Sequence, residues 1–171
     1  MTVEEFKIEV LPVKNRLFRL ALRMLKSRVE AEDTVQDVFL KLWSRKEKLN
    51  EYRSIEAFAM VMTKNLCLDK LKSPRSNRNE ILEPDLKVMK GTPDKELEMK
   101  EKLNNVHRII EKLPEQQRLI IQLRDIEGYE YYEIADVLEM NLNAVRVNLS
   151  RARKKVRDEL IKKQDYEYSS D

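Results

Sequence analysis

Glycine and proline are scarce, at two and five residues in a chain of 171. Tight turns and positive-φ positions must be few, and no Asn-Gly or Gly-Gly hairpin signal or sustained period-two alternation points to a sheet. A single cysteine, Cys67, excludes an internal disulfide framework. A single histidine, His107, together with that cysteine is too little for a zinc site of the usual Cys/His kind. There is no nucleophile beside a base, no phosphate-binding glycine loop and no metal-ligand cluster, so neither catalysis nor a cofactor is expected. No apolar run reaches the length that crosses a bilayer. The start, Met1-Thr2-Val3-Glu4-Glu5, lacks the basic and apolar segments of a signal peptide. The expectation is a cytoplasmic chain without membrane insertion.

What is abundant is charge, at 38% of residues, with Lys, Glu, Leu and Arg dominant and aromatics at 6%. That composition favours helix, and the predicted class is all-α. The net charge of +3 is modest, but its distribution is uneven. Asp125 to Glu139 holds six acidic and no basic residues, whereas Leu142 to Lys163 holds eight basic and two acidic ones. Such a boundary suits one element that faces a polyanion beside another that does not.

Three zones follow from the patterning. In residues 1–73, Phe6, Val10, Val13, Leu17, Leu20 and Met24 recur at helical spacing, with a kink or late start at Pro12. A second helix runs through Ala31, Val35, Val38, Phe39 and Leu42, and a third through Ile55, Phe58, Val61, Met62, Leu66, Asp69 and Leu71. Residues 74–96 contain Pro74, Pro84, Gly91 and Pro93 and read as a linker. Residues 97–163 predict four helices: one ending at Pro114, then Glu115 to Asp125, Glu130 to Glu139, and Ala144 to about Lys162. The polar tail, 164–171, is expected to fray.

On the last helix, Leu142, Val145, Leu149, Ala152, Val156 and Leu160 form one stripe, which must pack on Ile134, Ala135 and Leu138. Val147, Ser150, Arg151 and Lys154 lie opposite, flanked by Arg146, Arg153 and Arg157, and Asn143 is the expected N-cap. Arginine forks suit guanine edges or phosphates, Ser150 suits either, and an aliphatic Val147 on a polar face suits a thymine methyl. A solvated basic helix would carry the same charges. The short Asn141-Leu142-Asn143 turn, the acidic preceding helix and the stripe register favour a helix-turn-helix that reads duplex DNA.

Four segments of this zone resemble region 4 of the small extracytoplasmic-function (ECF) group of sigma factors. They are Leu113-Pro114-Glu115-Gln116-Gln117-Arg118, Leu123-Arg124-Asp125-Ile126-Glu127-Gly128-Tyr129, Glu133-Ile134-Ala135, and the run from Ala144 to Lys154. In the first zone, Glu32 to Trp43 is similar to the region 2 helix that grips RNA polymerase. Phe58 to Leu71 resembles the helix beside the −10 recognition loop. Two departures stand out. Glu139 occupies the turn position where the family often has Gly, and Glu130 stands where a Ser or Thr cap is common.

The resemblance implies a division of labour. Region 2, on residues 1–73, would bind the clamp helices of the polymerase β′ subunit through Glu32, Asp33, Gln36 and Asp37, although an acidic helix start favoured by the macrodipole looks the same. Phe39 and Trp43 are read as core. The polar stretch Ser44 to Ile55 matches the loop that captures a flipped base of the non-template −10 strand, which returns the few kcal/mol of unstacking through contacts. Asn50 and Tyr52 are its candidate contacts, with Asn65 facing the −10 DNA and Arg53 and Lys64 on phosphates. Region 4 would bind the −35 duplex through Asn143, Arg146, Val147, Ser150, Arg151 and Lys154, and touch the polymerase β-flap. Promoter DNA, core RNA polymerase and an anti-sigma factor are the implied partners. A helix-turn-helix regulator that dimerises through its N-terminal zone, or an adaptor that binds proteins alone, are the competing readings.

Overall fold

The computed structural model describes residues 1–74 and 92–169, and among these all regular structure is helical. The helices are α1 (Val3–Glu9), α2 (Lys14–Leu25), α3 (Arg28–Ser44), α4 (Ile55–Lys72), α5 (Pro93–Glu111), α6 (Glu115–Ile121), α7 (Tyr131–Leu138) and α8 (Leu142–Ser169). Contacts group the chain into two compact units, one of Met1–Leu82 with Asp136–Glu139 and the other of Glu83–Ala135 and Met140–Asp171. The all-α class is as the composition predicts. Most of the predicted linker lies outside the described residues. The tail is helical to Ser169 rather than frayed, since no Pro or Gly follows Asn143 to interrupt α8.

In the first unit α2 packs against both α3 and α4. Its line Leu17, Leu20, Ala21 and Leu25 is buried, as are Phe6, Val10 and Val13 before it. Pro12 sits in a 3-10 turn, Leu11–Val13, which separates α1 from α2 as its missing N–H requires. Thr2 opens α1 with a reciprocal capping box. Its hydroxyl accepts from the Glu5 amide at 3.2 Å, and its own N–H donates to the Glu5 carboxylate at 2.7 Å. Ser27 and Ser54 accept from the amides of Glu30 and Ala57 to cap α3 and α4.

The predicted face of α4 is corrected by the structure. Ala59, Met60, Thr63 and Cys67 are buried, while Ile55, Phe58, Val61, Met62, Leu66 and Leu71 are only half-buried and Asp69 is exposed. Because α4 is apolar over most of its circumference, spacing could not select the innermost line. The buried Thr63 hydroxyl is satisfied by donating to the Ala59 carbonyl at 2.8 Å. Phe39 and Trp43, read as core, are half-buried. The Trp43 ring meets Phe6 edge-on at 5.1 Å and carries the Lys46 ammonium 4.1 Å from its centroid.

In the second unit α8 packs on α6, and α5 lies against both. The core here is Ile109, Ile110, Leu119, Ile120, Leu123, Ile134, Val145 and Leu149. The helix predicted from Glu115 to Asp125 is α-helical only to Ile121 and continues as a π turn over Gln122–Ile126, closed by the Glu127 amide donating to the Gln122 carbonyl.

Cys67 is fully buried, and burial pushes its thiol up to about 12. At pH 8 its thiolate fraction should fall on the order of a thousandfold below that of an ordinary thiol. Alkylation of the native chain is therefore expected to be slower than that of the unfolded chain by at least that factor, followed by mass spectrometry of Cys67. Equal rates would place the thiol at the surface.

Candidate nucleic-acid interface

The geometry of α7 and α8 begins with the turn between them. Glu139 has φ 53°, the left-handed conformation that glycine adopts freely. The Met140 amide donates to the Ala135 carbonyl at 2.9 Å and the Glu139 amide to the Asp136 carbonyl at 3.3 Å, so α7 ends in a Schellman motif built without glycine. The start of α7 is capped from within: the Glu133 carboxylate accepts from the Glu130 amide at 2.8 Å. The cap of α8 is Asn141 rather than Asn143. Its side-chain oxygen accepts from the Asn143 amide at 2.7 Å, and Asn143 itself lies in the first turn.

Val145, Leu149 and Ala152 are buried and Val156 is half-buried, but Leu142 is exposed and drops out of the predicted stripe. On α7, Ile134 and Val137 are buried, while Ala135 and Leu138 are half-buried. The predicted reading set is brought together: Asn143, Arg146, Val147, Ser150, Arg151 and Lys154 are all exposed on α8. At 100° per residue they span about 140° of the helix, with the buried line opposite. Val147 is 40% exposed, an aliphatic surface amid guanidinium and ammonium groups.

The basic residues of α8 are not equivalent. Arg153 donates through Nε and Nη2 to the two carboxylate oxygens of Asp125, at 2.9 and 2.5 Å. Those hydrogen bonds hold its proton more tightly than usual, against the opposing effect of burial and with smaller help from the Asp125 charge and Tyr131. Lys163 donates to Asn105 on α5 at 2.6 Å. Among the described residues no ion pair engages Arg151 or Lys154. Sequence spacing gave no sign of the Asp125–Arg153 clamp, because 28 residues and a π turn separate the partners.

In the first unit the loop after α3 is a 3-10 turn, Lys46–Glu51, anchored by the fully buried Leu49. Asn50 within it and Tyr52 and Arg53 beyond it are exposed, as is Asn65 on α4. Lys64 is buried. The Tyr52 ring stacks on Phe58 with centroids 4.0 Å apart and planes 17° from parallel. On α3, Glu32, Asp33, Gln36 and Asp37 are all exposed, and Glu32 pairs with Arg28 at 3.1 Å. Val29 and Leu40, on the same side of α3 as Asp33 and Gln36, are 63% and 67% exposed.

The second unit also carries a groove of about 630 Å³ between α5, the π turn and α8. Its walls include Leu103, Val106, Ile110 and Ile121, with His107 and Arg157 among the polar residues. No cluster of His, Cys, Asp or Glu suited to a metal ion occurs among the described residues. None of their helices is long and apolar enough to cross a membrane.

These features define a two-unit helical protein with a helix-turn-helix in its C-terminal unit. Residues 10–77 match "Sigma-70 region 2" and residues 103–156 match "Sigma-70, region 4". Together the two matches cover more than two thirds of the chain, and the chain belongs to the sigma-70 family. It is similar to the probable RNA polymerase sigma factor RfaY of Xanthomonas campestris, at 29% identity over 89% of this chain and 39% of that protein. It is 30% identical to the ECF sigma factor SigE of Mycolicibacterium smegmatis, over 86% of this chain and 58% of the relative. The chain thus spans well under two thirds of these two relatives, but 84% of the ECF sigma-E factor of Escherichia coli, at 27% identity over 88% of this chain. Its fold is similar to that of the sigma factor RpoE of Bartonella quintana, solved with the anti-sigma factor NepR (TM-score 0.66, 20% identity, 92% of this chain and 98% of that one). It is also similar to that of CnrH, solved with the cytosolic domain of CnrY (TM-score 0.62, 22% identity, 93% and 89%).

The cap assignment separates two neighbouring asparagines. Asn141→Ala is expected to lower the unfolding free energy of the second unit by about 1 kcal/mol. Asn143→Ala, which keeps the Asn141 side-chain acceptor, should cost less. Chemical denaturation of the two variants checks this, and the reverse order would return the cap to Asn143.

Proposed function

We propose that this chain is an ECF sigma factor that binds core RNA polymerase and directs it to promoters, reading the −35 duplex with α8 and the −10 non-template strand with its first unit. The observation that carries the reading is the continuous exposed face of α8. It combines fork-shaped donors, a hydroxyl and one aliphatic side chain, backed by a buried line that fixes its direction. The domains assigned are region 2 on 1–73, a linker on 74–96, region 4 on 97–163 and a tail on 164–171.

In the first unit, Asn50, Tyr52, Arg53 and Asn65 are offered to the −10 strand. The Tyr52–Phe58 stack makes a rigid platform for an extruded base. Lys64 leaves this set, because a phosphate contact needs an exposed ammonium and this one is buried. Asp33, Gln36 and Asp37, with Glu32 and the exposed Val29 and Leu40, form a mixed acidic and apolar face on α3. It suits a basic, apolar-edged helix pair such as the β′ clamp helices. The groove beside α5 is the candidate seat of the β-flap. An anti-sigma factor is the proposed regulator, since both structural neighbours are solved with such a partner or with a cytosolic domain bound. Sigma factors are regulatory rather than enzymatic proteins, and we assign this chain no catalysis of its own and a cytoplasmic place of work.

Run-off transcription with the cognate core polymerase tests the proposal, with a promoter-dependent transcript expected. Tight, symmetric binding of free chain to duplex DNA without polymerase would overturn it in favour of a dimeric regulator. Within the holoenzyme, Arg151→Ala should weaken −35 binding by ~1–3 kcal/mol. An unchanged affinity in a folded variant would remove Arg151 from the reading face. Exchanging residues 50–53 for those of a relative should alter −10 preference and spare −35 preference, as read by selection from randomised promoters.

A further inference from the structure

Arg146 differs from its neighbours on α8. Its guanidinium carbon lies 5.7 Å from the centroid of the Tyr131 ring, within the reach of a cation–π contact. That ring is itself fixed. The Arg124 guanidinium lies 4.7 Å from the same centroid. Arg124 is tied in turn to the Tyr129 carbonyl at 2.7 Å and to the Glu130 carboxylate at 3.3 Å. Nearby, Asp125 clamps Arg153 with two hydrogen bonds. Tyr131 therefore stands where the π turn, α7 and α8 converge. Of the two arginines over its ring, Arg124 is bound into the unit's own frame, while Arg146 is exposed and carries no ion pair among the described residues.

A free arginine side chain samples many rotamers, and bidentate recognition of a guanine edge demands one direction of the fork. A flexible arginine finds phosphates almost as readily as a base, and phosphate contacts carry no sequence information. An aromatic wall backed by an anchored second arginine, Arg124, narrows that choice before DNA arrives. This is preorganisation of a reading group by a residue that need not touch DNA.

We propose that Tyr131 is a positioning residue that sets base discrimination at the pair read by Arg146, acting through the ring face it presents to that guanidinium. The inference rests on the reading of α8 as the −35 reader. It adds that specificity at one base pair is governed from α7, outside the reading helix.

The test uses the full chain assembled with core polymerase and a duplex library randomised across the −35 position. The wild type should select a preferred base pair that Arg146→Ala relaxes. Tyr131→Leu should relax the preference at that same pair, roughly two- to fivefold, leaving preferences elsewhere, binding to unrelated duplex and the salt dependence unaltered. Tyr131→Phe, which keeps the ring, should restore the preference. Tyr131→Leu should have no further effect on discrimination in the Arg146→Ala background. Thermal unfolding shows which variants are folded. Three results would overturn the inference alone: uniform weakening on all sequences by Tyr131→Leu, additive effects in the double variant, or lost preference in a folded Tyr131→Phe. A wild-type holoenzyme without any −35 preference would instead overturn the DNA-reading assignment of α8, and the inference with it.

Discussion

The burial of Val145, Leu149 and Ala152 on one line of α8 is the constraint from which the rest of the second unit follows. A helix has one free rotation about its axis, and this line removes it. Once these side chains are packed, Asn143, Arg146, Val147, Ser150, Arg151 and Lys154 point away from the core without any further instruction. The Schellman turn at Glu139 and the Asn141 cap then set where α8 begins. The Asp125–Arg153 clamp ties α8 to the π turn, fastening the same helix at a second point.

The first unit works by a parallel logic with a different chemistry. Its core, centred on Leu17, Leu20 and Leu25, turns α3 so that an acidic line faces outward between two exposed aliphatic residues. Leu49 plugs the loop after α3 into that core, which is why Asn50, Tyr52 and Arg53 project from a fixed base rather than from a slack segment. A buried anchor close in sequence to an exposed polar tip is the common device: Leu49 before Tyr52, and Leu149 before Ser150.

Much of this was legible in the residues. The α1–α3 patterns and the outward face of α8 emerge directly from apolar spacing, because those helices have one apolar side. The innermost line of α4 did not, since Phe58, Val61, Met62 and Leu66 compete with Ala59, Met60 and Cys67 on a helix apolar nearly all round. Asn141 and Asn143 are chemically identical candidates for one cap, and only backbone geometry separates them. The positive φ at Glu139 has one trace in the sequence, the family's frequent glycine at that turn, which by itself left open whether the turn keeps its shape. The π turn and the tertiary pairs Asp125–Arg153 and Tyr131–Arg146 leave no local trace. They arise from folding that brings together residues 15 or more apart, and these pairs decide which of the basic residues remain available.

That last point bears on how α8 meets any polyanion. A cation already neutralised within the protein does not neutralise a phosphate, so it releases none of the counterions condensed on the polyanion. Arg153 is such a group, held by Asp125, and Lys162 is partly so, at 3.4 Å from Glu159. The formal charge of the helix therefore overstates its electrostatic valence. The steepness of its response to salt reports the smaller number, the cations the fold has left unspent.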